Sequence, residues 1–454
     1  MKTFLTPIII FCGVLLAISC GEDRTHEYEE KTQHNHWMYD VMQDRYLWAE
    51  ALSSYEPTWK NFFATPENFL ATLTAKSGHS DSWSYVEIDT VATDSHERGY
   101  FNHINSYGFD FVLMTDPTGQ TTRSVLRVLT VYPDSPAERA GLVRNDFICS
   151  FDNYKISTSN VSRLQKGTAR SLEVRHLMQE ELEGNIVWKD TVTVSLGASE
   201  YVEDVAFPVS NLINVNGVNV GYMMCTRLLE CPSEKGSLRA NTTVYRDDLD
   251  AIMLSMKHAG VDEMVLDLRL CNDGTLEMAQ RLASYVVAPQ HLGDTFVQTI
   301  WNERHTANNQ TLSYDASVKN LGLSRVYILT SSSTQGAAEW LIHALQYTMG
   351  EDNVITIGEA TAGQDVLTQE VGHEYYVHLF PVVAYVADGG GTYGYSSITP
   401  TYSVNEQSYL NLGDYGTLDE ILFYTAVANI LGIGQDDSES GEESDNSSEG
   451  DAVE

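Results

Sequence analysis

Ser324-Arg325-Val326-Tyr327-Ile328-Leu329-Thr330 is rich in apolar and β-branched residues, and Ser331-Ser332-Ser333-Thr334-Gln335-Gly336 separates it from Ala337-Ala338-Glu339-Trp340-Leu341-Ile342-His343-Ala344-Leu345-Gln346-Tyr347. The first segment has strand length and is apolar on both faces. Such a strand belongs inside a sheet covered on both sides. The second segment has helix length and composition, so the whole reads as strand, turn, helix. The same alternation extends in both directions. Val218–Met224, Glu263–Arg269 and Val354–Gly358 read as strands, and Asp247–His258 and Thr275–Val286 as helices. A strand–helix alternation of this kind predicts a mainly parallel α/β core over 198–434.

Upstream, 98–197 changes character. Phe109–Leu113, Ser124–Val128, Phe147-Ile148, Ser171–Val174 and Thr191–Val194 are short β-rich runs separated by turn residues. Within them, Ser135-Pro136-Ala137-Glu138-Arg139-Ala140-Gly141-Leu142 reads as a short helix, with Ser as N-cap, Pro at the first position and Gly at the end. With Asn145-Asp146 it resembles the signature of bacterial PDZ domains. By that resemblance Tyr107, Gly108, Phe109 and Asp110 form the loop whose N–H groups cap a peptide carboxylate, and the peptide adds to the sheet edge. Further upstream, 34–97 is helical in pattern. Large apolar residues recur at three- and four-residue steps through Trp37, Met38, Val41, Met42 and Tyr46. The expected class is therefore mixed α/β: a helical N-terminal region, a β-sandwich-like PDZ domain, and the α/β core.

The ends are not part of these folds. Residues 1–19 carry Lys2 followed by an apolar run from Phe4 to Ala17, as in a signal peptide. Ala17-Ile18-Ser19-Cys20 resembles a lipobox, which predicts lipidation of Cys20, a loose linker over 20–33, and attachment to the bacterial outer membrane. Glu22 and Asp23 resemble a surface-export signal. Residues 435–454 hold nine acidic side chains and no basic one, which predicts a disordered tail.

The formal net charge of -36 excludes a phosphate-binding surface, so nucleic acid is not a partner. His26, His34 and His36 lack partner ligands in sequence, and neither a metal nor a cofactor is implied. Cys149 reads as a core residue, and Cys225, Cys231 and Cys271 hold enough sulfur for one bridge. Asp388-Gly389-Gly390-Gly391 has no phosphate-loop context.

Three segments point to chemistry. Val265-Leu266-Asp267-Leu268-Arg269, the stretch Leu329–Glu339, and Ile357-Gly358-Glu359-Ala360-Thr361-Ala362-Gly363 resemble the core motifs of the carboxyl-terminal processing (tail-specific) serine peptidases. Tyr46-Leu47-Trp48 and Leu412-Gly413-Asp414-Tyr415-Gly416-Thr417 resemble the Bacteroidetes lipoprotein branch of that family. The resemblance implies a serine nucleophile at a strand-to-helix turn, a lysine base, and an oxyanion held by two backbone N–H groups, one from Gly274. Counting back three from Glu339 reaches Gly336, and the residue after Gly363 is Gln364. Serine and lysine are thus both missing from their expected positions.

Ser333 is the nearest substitute nucleophile, three residues early. Cys271 beside Gly274 has no histidine placed to activate it, since His343 falls two helical turns along. A bridge to Cys225 is the alternative the family's strand order implies. Asp267 and Arg269 read as pins for a strand end. The chain is expected to bind extended peptides or protein C-termini without cutting them. An active endopeptidase with a displaced nucleophile and a structural subunit of an envelope complex are the other readings.

Overall fold

The computed structural model describes residues 25–88, 105–117, 122–178, 187–188, 191–203, 205–232, 242–374 and 376–433. The signal segment, Cys20 and the acidic tail lie outside them. The chain forms two compact units.

The first unit comprises the described residues before 94 with Asn302–His305 and Thr368–Val383. Its long helix, Thr25–Arg45, begins earlier than expected. Residues 25–33, read as loose linker, form its first turns, braced by Lys31 to Glu27 at 2.8 Å and by the Thr32 hydroxyl to the Tyr28 carbonyl at 2.7 Å. Met38, Met42 and Tyr46 are fully buried, as helical spacing predicts. A further helix, Pro66–Ser77, starts at Thr65, whose hydroxyl accepts from Asn68 N. Asn302 joins this unit by donating to the Asp44 and Tyr46 carbonyls at 2.9 and 2.8 Å.

The second unit carries two sheets central to the site. In the first, β1 (Phe109–Thr115), β2 (Ser124–Val131), β3 (Phe147–Phe151), β4 (Arg170–Arg175) and β5 (Val192–Leu196) lie in that order, with β1 outermost. Cys149 on β3 is only half-buried, because its side chain falls on the outer face of the alternation. Helix α1 (Pro136–Arg139) starts at Ser135, whose hydroxyl accepts from Glu138 N at 3.1 Å. Asn145 takes the left-handed conformation, φ 74°.

The second sheet is six-stranded: β6 (Ser210–Val215), β7 (Val218–Met224), β8 (Glu263–Asp267), β9 (Val326–Thr330), β10 (Val354–Gly358) and β11 (Tyr402–Ser403). β6 and β7 form an antiparallel hairpin and the remaining pairs are parallel. Alternate side chains serve opposite cores. Met223, Leu266 and Ile328 pack with α2 (Val244–Ala259), α3 (Leu276–Val286) and α4 (Ala337–Met349). Tyr222, Val265, Tyr327 and Leu329 pack with α5 (Ile421–Ile430).

A buried charge cluster ties these parts together. Arg269, just past β8, is 1% exposed and bonds Asp267 at 2.8 Å, Glu420 at 2.9 and 3.0 Å, and Glu406 at 2.7 Å. Glu420 also accepts from Leu422 N and Phe423 N, capping α5. Arg144, from the turn before β3, reaches the same Glu406 at 2.9 Å and stacks 3.9 Å over the Tyr415 ring. Arg127 on β2 donates to the Tyr409 and Leu410 carbonyls at 2.7 and 2.8 Å. Burial alone would raise the Glu406 carboxyl, but Arg269 and Arg144 outweigh it and hold it below the ordinary carboxylate range. Removing Arg269 strands carboxylates that water cannot reach. We expect Arg269→Ala to lose about 3–5 kcal/mol of unfolding free energy in urea titrations at pH 7.

Candidate active site

The turn between β9 and α4 is stitched to the end of β8. Ser331 Oγ donates to the Arg269 carbonyl at 2.6 Å, Thr334 Oγ1 to the Leu268 carbonyl at 2.9 Å, and Gln335 N to the Cys271 carbonyl at 3.0 Å. Chain direction then reverses at Gly336, the N-cap of α4, with φ 57° and ψ -113°. A side chain there carries strain of about 1–3 kcal/mol, which glycine avoids.

The segment after β10 comes alongside. Glu359 N and Ala362 N donate to the Thr330 and Thr334 carbonyls at 3.1 and 3.0 Å. Glu339, 1% exposed in the first turn of α4, joins the two segments. One carboxylate oxygen accepts from Thr361 Oγ1 at 2.5 Å and Gly363 N at 2.6 Å. The other accepts from Gln364 N at 2.7 Å and Gly336 N at 3.1 Å. Burial raises the Glu339 carboxyl above its usual value, against the pull of those donors. Trp340 adds an indole N–H to the Gln364 carbonyl at 3.0 Å.

Gly336 therefore faces Gln364. A Cβ built on Gly336 would lie 3.3 Å from Gln364 Oε1, 3.6 Å from its Cδ and 3.8 Å from its Nε2, and no other residue supplies its three nearest atoms. Gln364 is 6% exposed; its Oε1 accepts from Gln335 Nε2 at 2.8 Å and its Nε2 donates to the Val366 carbonyl at 3.1 Å. Gly274 lies against the first residue of α4, since a Cβ there would stand 2.7 Å from Ala337 Cβ and 2.6 Å from Leu228 Cβ. Gly274 is thus required by shape, whereas a side chain at 336 would meet only the end of Gln364, and the two positions expected to hold a nucleophile and a base stand face to face.

The other candidates fall elsewhere. Ser333 sits in the Ser331–Thr334 turn, its amide donating to Ser331 Oγ at 3.0 Å, and it is not among the atoms nearest the Gly336 vector. His343 stacks on Tyr395 with ring centroids 3.6 Å apart, and burial lowers it to about 4, so its ring is neutral at pH 7. Cys271 Sγ faces Cys225 Sγ at 4.0 Å. Among the described residues no group of three or more His, Cys, Asp or Glu converges on a metal-sized site. Sequence reasoning located Glu339 but missed its clamp on both segments; the Glu359–Gly363 run spaced after β10 was the signal available.

The expected carboxylate-capping loop leads into β1. Tyr107, Gly108, Phe109 and Asp110 are all buried rather than open. Tyr107 N donates to the Gln165 carbonyl at 3.4 Å and Gly108 N to Ser106 Oγ at 2.9 Å. A Cβ on Gly108 would lie 2.1 Å from Ser135 Cβ, so the α1 N-cap packs directly against this loop and leaves room only for glycine. Asp110 Oδ2 accepts from Tyr132 OH at 2.9 Å, and burial pushes its carboxyl up to about 7, despite Tyr132 and the field of Arg227.

Asp110 titrates near 3.9 when unfolded, so between about pH 4 and 7 the folded chain holds a proton that the unfolded chain has lost. Its contribution to stability is present at low pH and is lost as pH rises through that window. We expect Asp110→Asn to flatten this fall, measured as urea midpoints at pH 4.5 and 7.5 for both proteins.

Comparison with known proteins agrees with this architecture. The peptidase S41 N-terminal domain model matches residues 33–85, the PDZ domain model 127–175, and the peptidase family S41 model 232–411. A solved S41 protease homologue from Bacteroides fragilis is 29% identical, with TM-score 0.76, over 87% of this chain and 97% of that one. A carboxyl-terminal-processing protease from Picosynechococcus sp. is 26% identical over 54% of this chain, and the match spans about half (51%) of that relative's length. With its helical N-terminal domain, its PDZ domain and its α/β core each matched in order, the chain belongs to peptidase family S41.

Proposed function

We propose that this chain is a peptide-binding S41 homologue whose Ser/Lys dyad has been vacated, held at the bacterial envelope by lipid on Cys20. The observation that carries the reading is the face-to-face placement of Gly336 and Gln364. A hydrogen at position 336 has no nucleophilic oxygen, and a carboxamide at 364 takes no proton near neutrality. The Glu339 clamp is the support for the assignment, since it presents both positions as a dyad would need them. Extended peptides or protein C-termini would add along the outer edge of β1, whose residues become more exposed from Phe111 to Thr115. The Tyr107–Asp110 segment that leads into that strand would cap the ligand's terminal carboxylate.

The decisive variant is Gly336→Ser with Gln364→Lys. We expect it to cleave unfolded casein on the order of a thousandfold above the unmodified chain. A correctly folded double variant that stays inert, together with no calorimetric binding of carboxyl-terminal peptides by the unmodified chain, would overturn the reading.

A further inference from the structure

Cys225 and Cys271 are fully buried, 46 positions apart in sequence, and their sulfurs stand 4.0 Å apart. Cys225 directly follows β7 and Cys271 lies in the turn just after β8, where Cys225 N donates to the Asp267 carbonyl at 2.9 Å and Cys271 N to the Leu268 carbonyl at 3.0 Å. The loops that follow are zipped together: Leu228 N donates to the Asp273 carbonyl at 2.9 Å and Thr275 N to the Leu228 carbonyl at 2.8 Å. The backbone therefore already holds both ends in register, and closing the sulfurs to a bond of about 2.04 Å asks for side-chain rotation rather than a new chain path. Cys149 and Cys231 are each half-buried, and neither takes part in this sulfur contact. Two buried thiols in contact are unusual unless they are inert packing or a cross-link.

The geometry assigns Cys225 and Cys271 as the site of an intramolecular disulfide that fastens the two loops flanking Gly274. The reaction is thiol–disulfide exchange with a small-molecule disulfide. One cysteine thiolate attacks that disulfide and releases the first small thiol; the second cysteine thiolate attacks the mixed disulfide and releases the other. The protein dithiol is oxidised, the small disulfide is reduced to two thiols, and the two cysteine protons end on the leaving sulfurs. Because both thiols are shut off from solvent in the folded chain, exchange proceeds while the chain is folding or locally open. The bond would restrain the segment whose Cys271 carbonyl receives the Gln335 amide, one residue before the Gly336 turn.

The test uses the full chain, reduced and unfolded, then refolded with a mixture of oxidised and reduced glutathione, alkylated, and mapped by mass spectrometry. The expected map contains a peptide linking Cys225 to Cys271, with Cys149 and Cys231 alkylated. The urea midpoint of the oxidised chain should exceed that of the dithiothreitol-treated chain, and Cys225→Ser and Cys271→Ser should each abolish that difference. Alkylation of both Cys225 and Cys271 in the refolded oxidised chain, or their linkage to Cys149 or Cys231 instead, would overturn the assignment. The outcome is independent of whether the chain hydrolyses peptides.

Discussion

A single buried carboxylate, that of Glu339, holds together two lengths of chain from different strands of the core. Four donors converge on it, three from the segment after β10 (Thr361 Oγ1, Gly363 N and Gln364 N) and one from the turn at Gly336. An anion with so little exposure is stable only when its oxygens are filled in this way. The clamp fixes the glycine turn at 336 and aims that position at residue 364, whose carbonyl also accepts from the Trp340 indole. Everything inferred about chemistry depends on that registration.

The geometry needed for hydrolysis and the atoms needed for hydrolysis are separate properties here. Backbone conformation, glycine at 274 and the Glu339 contacts describe shape. Nucleophile and base are side-chain functions, and at positions 336 and 364 the chain offers a hydrogen and a carboxamide. Gln364 is not idle: its amide is engaged on both sides, by Gln335 and by the Val366 carbonyl. The neutral side chain satisfies a buried site that a lysine would occupy with its amine made less basic by burial. The charged work of the unit lies elsewhere, in the Arg269 cluster, where one guanidinium answers three carboxylates and Arg144 shares one of them, Glu406.

Much of this was legible in sequence because it is periodic or local. β7 and β10 fall on the predicted residues, and α3 and α4 agree to within two positions, since buried parallel strands and capped helices leave strong signatures. The Ser135 cap and the left-handed Asn145 followed from local backbone chemistry. What escaped notice is long-range. Nothing near Tyr107 in sequence announces that Gln165 and Ser135 close over its loop. The recruitment of 302–305 and 368–383 to the first unit rests on contacts made hundreds of residues away. Nothing near Arg127 and Arg144 in sequence announces the acceptors that the 409–415 segment supplies.

The most direct measurement is proteolysis by the unmodified chain. Purified protein incubated with an unfolded substrate, such as reduced carboxymethylated lactalbumin, and followed by mass spectrometry should leave that substrate intact over hours, at any protein concentration. New termini that accumulate in proportion to the chain and survive removal of contaminating proteases would contradict the account, because some other residue would then be supplying the oxygen that position 336 lacks.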